Sequence, residues 1–290
     1  MVIVTGSHRS GGTWVGRMLC ESHELRYVDE PFNRNNPVTR LRTRPPRMYQ
    51  YVCDANADDW HRDVAALLAG RFPILARARE IGSARGAYRF AREWARPWRD
   101  PLVKDPFAFF SAPWLHENFG LAPVIVLRHP AAFAASVQRL KWRFGFDSFT
   151  DQPLLMSHLL EPWAAEIEAP PDHILDRAAL LWRCVYGTAM RFRDQHPDWL
   201  IVRHELLSDD PAGGFRDLYR RLGLTYDEAV ARRVAAHTMR DRSDRTHEIM
   251  RDSRSAARRW RSELAPSQID RLREQTADVD WYRDDRWWDP

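Results

Sequence analysis

The sequence predicts an α/β fold with a mostly parallel sheet of about five strands flanked by helices. Short apolar runs of strand length alternate with longer helical stretches, an order typical of parallel sheets. A hydrophobic content of 44%, with 12% aromatic residues, is enough for a sizeable core. The 290 residues contain no internal repeat, and their number fits one domain spanning 1–290, with room for an insertion.

Apolar runs and helical periodicity define the predicted elements in order along the chain. The five predicted strands are Val2–Thr5, Leu25–Val28, Leu102–Lys104, Pro123–Leu127 and Trp199–Arg203. The first helix places Trp14, Val15, Met18 and Leu19 on one face, and proline at position 130 favours a helix start. Further helices are predicted over 154–196 with a break at 169–171, over 212–222, over 226–238 and from about 266.

Residues 33–100 lack a strong strand signal and are predicted to be a helical insertion rich in arginine and tryptophan. Segment 34–47 contains five arginines and no acidic residue, and segment 71–99 contains eight arginines against two glutamates. Either segment could form a lid that recognises an acidic acceptor molecule. A solvated, Arg-rich helix face is the alternative.

Composition excludes several classes of protein. The net charge of +4 is too small to indicate nucleic-acid binding, although arginine supplies 42 of the 44 basic residues. No apolar run approaches the roughly 20 residues of a transmembrane helix. The three cysteines are widely spaced, which argues against a disulfide framework or a metal site. Because the first residues show no signal-peptide pattern, we expect a cytoplasmic protein. The sequence does not decide whether the protein forms a homo-oligomer.

The first predicted strand is followed by GSHRSGGT, a glycine-rich loop that leads into a helix. Such a loop binds phosphate through its backbone N–H groups and the helix N-terminus. The Walker A pattern has lysine where this chain has Gly12, and the cation is instead Arg9. A nucleoside triphosphatase also needs an acidic Mg²⁺ ligand, and no predicted apolar strand ends in Asp to supply one. The loop therefore predicts an anionic nucleotide without a γ-phosphate.

This loop resembles the 5′-phosphosulfate loop of the sulfotransferases that use 3′-phosphoadenosine 5′-phosphosulfate (PAPS). Gly12 replaces the threonine that is usual in the family, which costs one hydroxyl contact. The donor-binding residues that the resemblance implies here are Arg9, Ser10, Gly11, Gly12, Thr13 and Trp14, the last by stacking on adenine.

Three further elements resemble the same family and follow in its order. Arg128 ends a predicted strand and Ser136 follows eight residues later, similar to the family's 3′-phosphate element. Residues 201–211 resemble its strand with an acidic element. The Arg-rich residues 254–261 are similar to a basic loop over the 3′-phosphate, which implies Arg254 and Ser255 as donor contacts, although the family's glycines are missing.

The resemblance spans residues 2–261 and implies a P-loop-like fold that transfers a sulfuryl group from PAPS to an acceptor hydroxyl or amine, without a metal. Its loop position makes Arg9 the cation for the bridging oxygen, and Lys104 at a strand end is the second cation. The base is Glu30 by similarity to the Glu-Pro element of carbohydrate sulfotransferases, with Asp105, Asp29 and His129 as alternatives.

Phenol and steroid sulfotransferases use a histidine at the strand end where this chain continues Lys104-Asp-Pro. That difference favours a bacterial-type enzyme closer to those that modify carbohydrates and natural products. The expected acceptor is a hydroxyl on a glycan, glycolipid or natural product, which could itself be acidic. Two other functions stay open at this point: a P-loop small-molecule kinase and a nucleotide-binding protein without catalysis.

Overall fold

The computed structural model describes residues 1–36, 41–71, 99–238 and 257–288, and it confirms the predicted α/β fold. All five predicted strands are present, with ends within one or two residues of the prediction. They form one parallel sheet in the order β2-β3-β1-β4-β5. The strands are β1 Val2–Gly6, β2 Leu25–Asp29, β3 Asp100–Lys104, β4 Ala122–Leu127 and β5 Leu200–Arg203.

Helices connect the strands and cover both faces of the sheet. Those of eight or more residues in the described ranges are Gly12–Leu19, Asp58–Leu68, Ala112–Phe119, Pro130–Arg139, Ile174–Gln195, Pro211–Arg221, Glu228–Thr238 and Pro266–Gln275. Shorter α-helices are Asp147–Thr150, Pro153–Leu155, Ala164–Glu168, His204–Asp209 and Trp260–Glu263.

The predicted continuous helix before the break at 169–171 is wrong. Residues 153–168 instead form a succession of short α, π and 3₁₀ turns. Pro162 has no N–H to donate to the carbonyl of His158 four residues earlier, so the helix cannot continue there. That carbonyl accepts from Arg191 Nη1 at 2.9 Å instead.

The alternation of side chains along the strands divides the core between the two faces of the sheet. Ile3, Val103 and Ile125 point to one face, which packs against Pro130–Arg139 and Ile174–Gln195. The strand residues of the other face are Val2, Val4, Leu25, Tyr27, Leu102, Val124, Val126 and Leu200. The predicted apolar face of Gly12–Leu19 packs there, together with Pro211–Arg221.

Strand register decides which side chains meet at the carboxyl edge of the sheet. Asp29 pairs with Lys104 across β2 and β3. Leu127 pairs with Arg203 across β4 and β5, so the residues that follow each strand also become neighbours. The central strand β1 lies between β3 and β4, and the chain connections diverge there. Ligands of open parallel sheets bind in the crevice at such a point.

Parts of the sequence predictions fall outside the described residues. Arg254 and Ser255 lie there, as do 37–40 of segment 34–47 and 72–98 of segment 71–99. Among the residues that are described, no helix is long and apolar enough to cross a membrane. In the same ranges no three His, Cys, Asp or Glu side chains come together as metal ligands.

Candidate functional site

A cavity of about 410 Å³ opens at the carboxyl edge of the sheet, above β1 and its neighbours. It brings together eight of the ten predicted donor-binding residues and all three predicted catalytic residues. The predicted residues that line it are Arg9, Ser10, Gly11, Gly12, Thr13, Trp14, Glu30, Lys104, Arg128 and Ser136.

The loop after β1 forms the floor of this cavity and leads into the helix Gly12–Leu19. Gly6 and Gly11 have φ values of 134° and 95°, a backbone region that favours glycine. A Cβ at Gly11 would lie 2.2 Å from Cδ2 of His204. Glycine at position 11 therefore lets His204 approach the loop, while the helix N-terminus faces the cavity with the polarity that suits an anion.

Gly12, where the family's usual threonine is missing, has room for a side chain. A Cβ there would meet its nearest neighbour, Ser10 Oγ, at 3.8 Å, an ordinary van der Waals distance. The departure from the family motif is therefore not forced by crowding.

Arg9 connects the loop to the helix Pro130–Arg139. Its φ of 67° lies in the left-handed region, and its Nε donates to Ser136 Oγ at 3.2 Å. Ser136 itself is buried. The two residues were predicted from separate motifs, and the fold brings them into direct contact at the cavity wall.

Trp14 lies at the cavity but also belongs to the core. Its ring packs edge-on against Phe215 at 5.1 Å between centroids and is tilted against His204 at 5.5 Å. Stacking on adenine stays a prediction for this residue.

Lys104 lies at one end of the cavity, where it pairs with the carboxylates of Asp29 and Glu30. We call these three residues the Lys104 end. The Nζ of Lys104 lies 3.0 Å from Asp29 Oδ1 and also donates to Glu30 Oε1. Burial alone lowers the pKa of Lys104, but the two carboxylates outweigh it and raise the pKa above the ordinary value. The lysine is therefore a buried, charged side chain and not a solvated residue at a strand end.

The backbone and one amide side chain hold Glu30 in this position. Its φ of 47° is left-handed, and its N–H donates to the carbonyl of Lys104 at 2.8 Å. Asn33 Nδ2 donates to Glu30 Oε2 at 2.6 Å, so each carboxylate oxygen has a donor. Asn33 also lines the cavity.

Asp105, an alternative base in the sequence, is fully buried and does not line the cavity. Its two oxygens accept from the backbone N–H groups of Phe32 at 2.5 Å and Phe107 at 2.8 Å. Burial, reinforced by the charge of Glu30, raises the pKa of Asp105 to about 8. Its place is beneath the site, where it ties together the turns that follow β2 and β3.

Arg128 occupies the opposite end, which we call the Arg128 end (Arg128, His204, Glu205). Its Nη1 lies 2.8 Å from His204 Nδ1, and its Nε lies 3.6 Å from Glu205 Oε1. Burial, followed by the charge of Arg128, lowers the pKa of His204 well below its ordinary value. The histidine is therefore neutral and accepts a hydrogen bond from the guanidinium.

His129, another alternative base, is buried outside the cavity lining. Its ring stacks on Trp260 at 4.7 Å between centroids, and its Nδ1 accepts from the N–H of Ala131 at 3.2 Å. Burial, with Arg128 and Arg261 nearby, lowers the pKa of His129 well below its usual value. The residue has the surroundings of a structural histidine.

The cavity also contains residues that the sequence interpretation did not assign. His204 follows β5 directly, so a systematic look at strand ends could have found it. Asn33, three residues after Glu30, has no comparable signal. Arg139 and Glu263, at the cavity mouth, pair at 2.6 Å between a helix end and the C-terminal region.

Comparisons with known proteins show which family and which solved structures the chain resembles. A family model described as "Sulfotransferase family" matches residues 2–228. A search of curated proteins gives no match. A solved sulfotransferase domain from the curacin biosynthetic pathway is 14% identical with a TM-score of 0.52, covering 96% of this chain and 97% of the other.

Two further solved structures resemble the chain with TM-scores below 0.5. The sulfotransferase domain of the Synechococcus PCC 7002 olefin synthase is 18% identical with a TM-score of 0.46, over 96% of this chain and 94% of the other. The sulfotransferase STF9 of Mycobacterium avium is 15% identical with a TM-score of 0.47, over 96% of this chain and 75% of the other.

Proposed function

The chain belongs to the sulfotransferase family, and we propose that it transfers a sulfuryl group from PAPS to the hydroxyl of a small molecule or glycan. The observation that carries the proposal is the pairing of Lys104 with Glu30 in the same cavity as the phosphate loop. A cation for the leaving group and a carboxylate for the acceptor proton then lie side by side.

The donor nucleotide would lie along the cavity from one end to the other. In this proposal, the backbone of the loop after β1 and the side chains of Ser10 and Thr13 hold the 5′-phosphosulfate, with Trp14 against the adenine. Arg128 and Ser136 hold the 3′-phosphate, because a guanidinium fork and a hydroxyl suit its oxygens. Arg254 and Ser255, outside the described residues, stay proposed as further contacts.

The reaction is an in-line displacement at sulfur. The acceptor oxygen forms the new O–S bond, its proton passes to Glu30, and the bond from sulfur to the bridging phosphate oxygen breaks. The electron pair of that bond leaves with 3′,5′-adenosine bisphosphate (PAP). Arg9 and Lys104 neutralise the charge that develops on the bridging oxygen, and such charge stabilisation is the main catalytic effect for group transfer of this kind.

Glu30 as the base follows from its access to the cavity beside Lys104, which the two alternative carboxylates lack. Asp29 and Asp105 do not line it. Lys104 donates to Glu30, so a sulfuryl donor that attracts the ammonium toward its bridging oxygen would also release the carboxylate to accept a proton.

The proposal also covers the acceptor, the domain organisation and the cellular location of the protein. We propose a hydroxyl on a glycan, glycolipid or natural product, any acidic groups of which would meet Arg139 and Arg259 at the cavity. In a single domain, the acceptor lid would be formed within residues 33–100, of which Tyr49, Trp60 and Val64 belong to the core instead. A cytoplasmic location agrees with the free thiols of Cys20, Cys53 and Cys184.

The direct test is transfer of label from ³⁵S-PAPS to a panel of glycans, glycolipids, phenols and hydroxylated natural products, in EDTA. We expect transfer to at least one carbohydrate or natural-product hydroxyl, and thermal stabilisation by PAP. A parallel reaction with ATP and Mg²⁺ serves as the control for a kinase. No transfer together with no stabilisation by PAP would reject the proposal, and Mg²⁺-dependent phosphorylation would replace it.

A further inference from the structure

The C-terminal aromatic segment, residues 281–288, packs under the strand end that carries Arg128. It lies beyond residue 228, where the family match ends. Hydrogen bonds at Trp281 anchor it to the rest of the domain: Trp281 Nε1 donates to the carbonyl of Tyr186 at 2.8 Å, and Arg203 Nη2 donates to the carbonyl of Trp281 at 2.7 Å. Trp288 closes the segment on itself through the carbonyl of Tyr282 at 2.7 Å.

One hydroxyl in this segment reaches the Arg128 end. Tyr282 Oη donates to Glu205 Oε2 at 2.7 Å, and both residues are buried. The other oxygen, Oε1, accepts from the N–H of His129 at 3.1 Å and lies 3.6 Å from Arg128 Nε. A continuous chain of polar contacts therefore runs from Tyr282 through Glu205 to the guanidinium.

We propose that Tyr282 is a positioning residue for the 3′-phosphate subsite, acting on Arg128 through Glu205. The inference rests on the proposed function, since it assumes that Arg128 binds the 3′-phosphate of the donor. With Oε2 held by Tyr282, only one oxygen of Glu205 faces Arg128, and the guanidinium stays directed at the cavity.

Removal of the Tyr282 hydroxyl would leave Glu205 Oε2 without its donor. A buried carboxylate oxygen without a donor is costly, and Arg128 Nε already lies 3.6 Å from the other oxygen of the same carboxylate. Arg and carboxylate groups prefer a bidentate contact in which both oxygens are used. Glu205 would then rotate toward Arg128 and compete with the phosphate for the same guanidinium.

The test compares the affinities of the full chain for PAP and for 5′-AMP, which lacks the 3′-phosphate, by isothermal titration calorimetry. Tyr282→Phe removes one hydroxyl and keeps the ring, so we expect it to reduce the preference for PAP by about three- to tenfold. Affinity for 5′-AMP should be unchanged. Tyr226→Phe is the matched control, since that hydroxyl bonds only weakly to the carbonyl of Ala212 at 3.4 Å and lies outside the cavity lining.

The remaining outcomes tell the failure of this inference apart from the failure of the proposed function. An unchanged preference in Tyr282→Phe, or an equal loss for both ligands, would overturn the inference and leave the proposed function standing. A wild-type chain that does not prefer PAP to 5′-AMP would overturn the proposed 3′-phosphate subsite as well. If Tyr282→Phe does not fold, Glu205→Gln is measured instead. Its amide oxygen can still accept from the N–H of His129, but the negative charge beside Arg128 is gone. An unchanged preference in that variant would also overturn the inference.

Discussion

The Lys104 end and the Arg128 end hold their cations in different surroundings. Lys104 pairs with side chains that are partly accessible, Asp29 at 49% exposure and Glu30 at 23%. Arg128 faces Glu205, whose side chain is 9% exposed, and a neutral buried histidine. One cation therefore has a carboxylate that a ligand can reach, and the other has a carboxylate enclosed by protein donors.

This difference separates proton transfer from positioning. Glu30 lines the cavity, so a bound molecule can reach it, whereas Glu205 does not line it and its oxygens accept from Tyr282 and His129. A carboxylate must be within hydrogen-bond reach of the reacting group to act as a base. We therefore expect substitutions at the Lys104 end to change the rate of transfer, and substitutions at the Arg128 end to change donor affinity.

Glu30→Gln should give the largest effect. The amide keeps the shape of the side chain but cannot take the acceptor proton, so kcat should fall by about 10²- to 10⁴-fold, while PAP affinity changes little. Single-turnover transfer from ³⁵S-PAPS and calorimetric titration with PAP measure the two quantities. Glu117→Gln, on an exposed helix face, is the matched control. Full activity in Glu30→Gln would transfer the role of base to another group.

Arg128→Lys tests the opposite end. Lysine keeps the charge beside Glu205 but loses the planar fork, so PAP affinity should fall by about 10- to 100-fold with 5′-AMP affinity retained. Arg220→Lys, an exposed arginine paired with Asp217, provides the control. A large loss of kcat at saturating donor would contradict the assignment of this end to affinity.

The loop between the two ends offers a matched pair of substitutions. Gly11→Ala forces a methyl group against His204 and strains a backbone with φ of 95°. We expect a cost of about 1–3 kcal/mol in the free energy of unfolding and weaker donor binding. In Gly12→Ala the new methyl group makes only ordinary van der Waals contacts, so the free energy of unfolding and the donor affinity should stay unchanged. Urea denaturation and PAP titration compare them, and equal losses in both variants would contradict the close approach of His204 to the loop.

His204 at the Arg128 end and Asp105, buried beneath the site, should make the free energy of unfolding depend on pH in opposite directions. Folded His204 does not take a proton, while its unfolded form takes one below about 6.5, so wild-type stability relative to His204→Gln should fall as the pH drops below that value. Folded Asp105 keeps its proton up to about pH 8, while its unfolded form loses it above 3.8. Wild-type stability relative to Asp105→Asn should therefore fall as the pH rises between those values.

Denaturant titrations at several pH values measure both trends. For one proton, neither slope can exceed about 1.4 kcal/mol per pH unit. Parallel curves for the wild type and both variants would show that neither group is shifted by its surroundings.

Strand ends were accessible from the sequence because apolar runs and the residues that follow them are local signals. The positions of Lys104, Arg128 and the loop at Arg9 follow from those signals. Which of them become neighbours depends on the order of strands in the sheet, and this is decided by packing over the whole chain.

The pairing of residues that are distant in the sequence had no local signal. Arg128 and His204 are 76 residues apart, and Tyr282 lies 77 residues from Glu205. The left-handed backbone of Glu30 is likewise imposed by the hydrogen bond to the carbonyl of Lys104. The prediction of a continuous helix over 153–168 was wrong for a local reason. It relied on hydrophobic periodicity and did not take account of the proline at 162.

Calorimetric titration of the full chain with PAP in EDTA, against ATP with Mg²⁺, shows which nucleotide the cavity binds and whether binding needs a metal ion. A cavity with Arg9 in its loop, no lysine at position 12 and an arginine at each phosphate-binding position should bind PAP without metal, and more tightly than ATP with Mg²⁺. Tighter binding of ATP that depends on Mg²⁺, with no binding of PAP, would contradict the account.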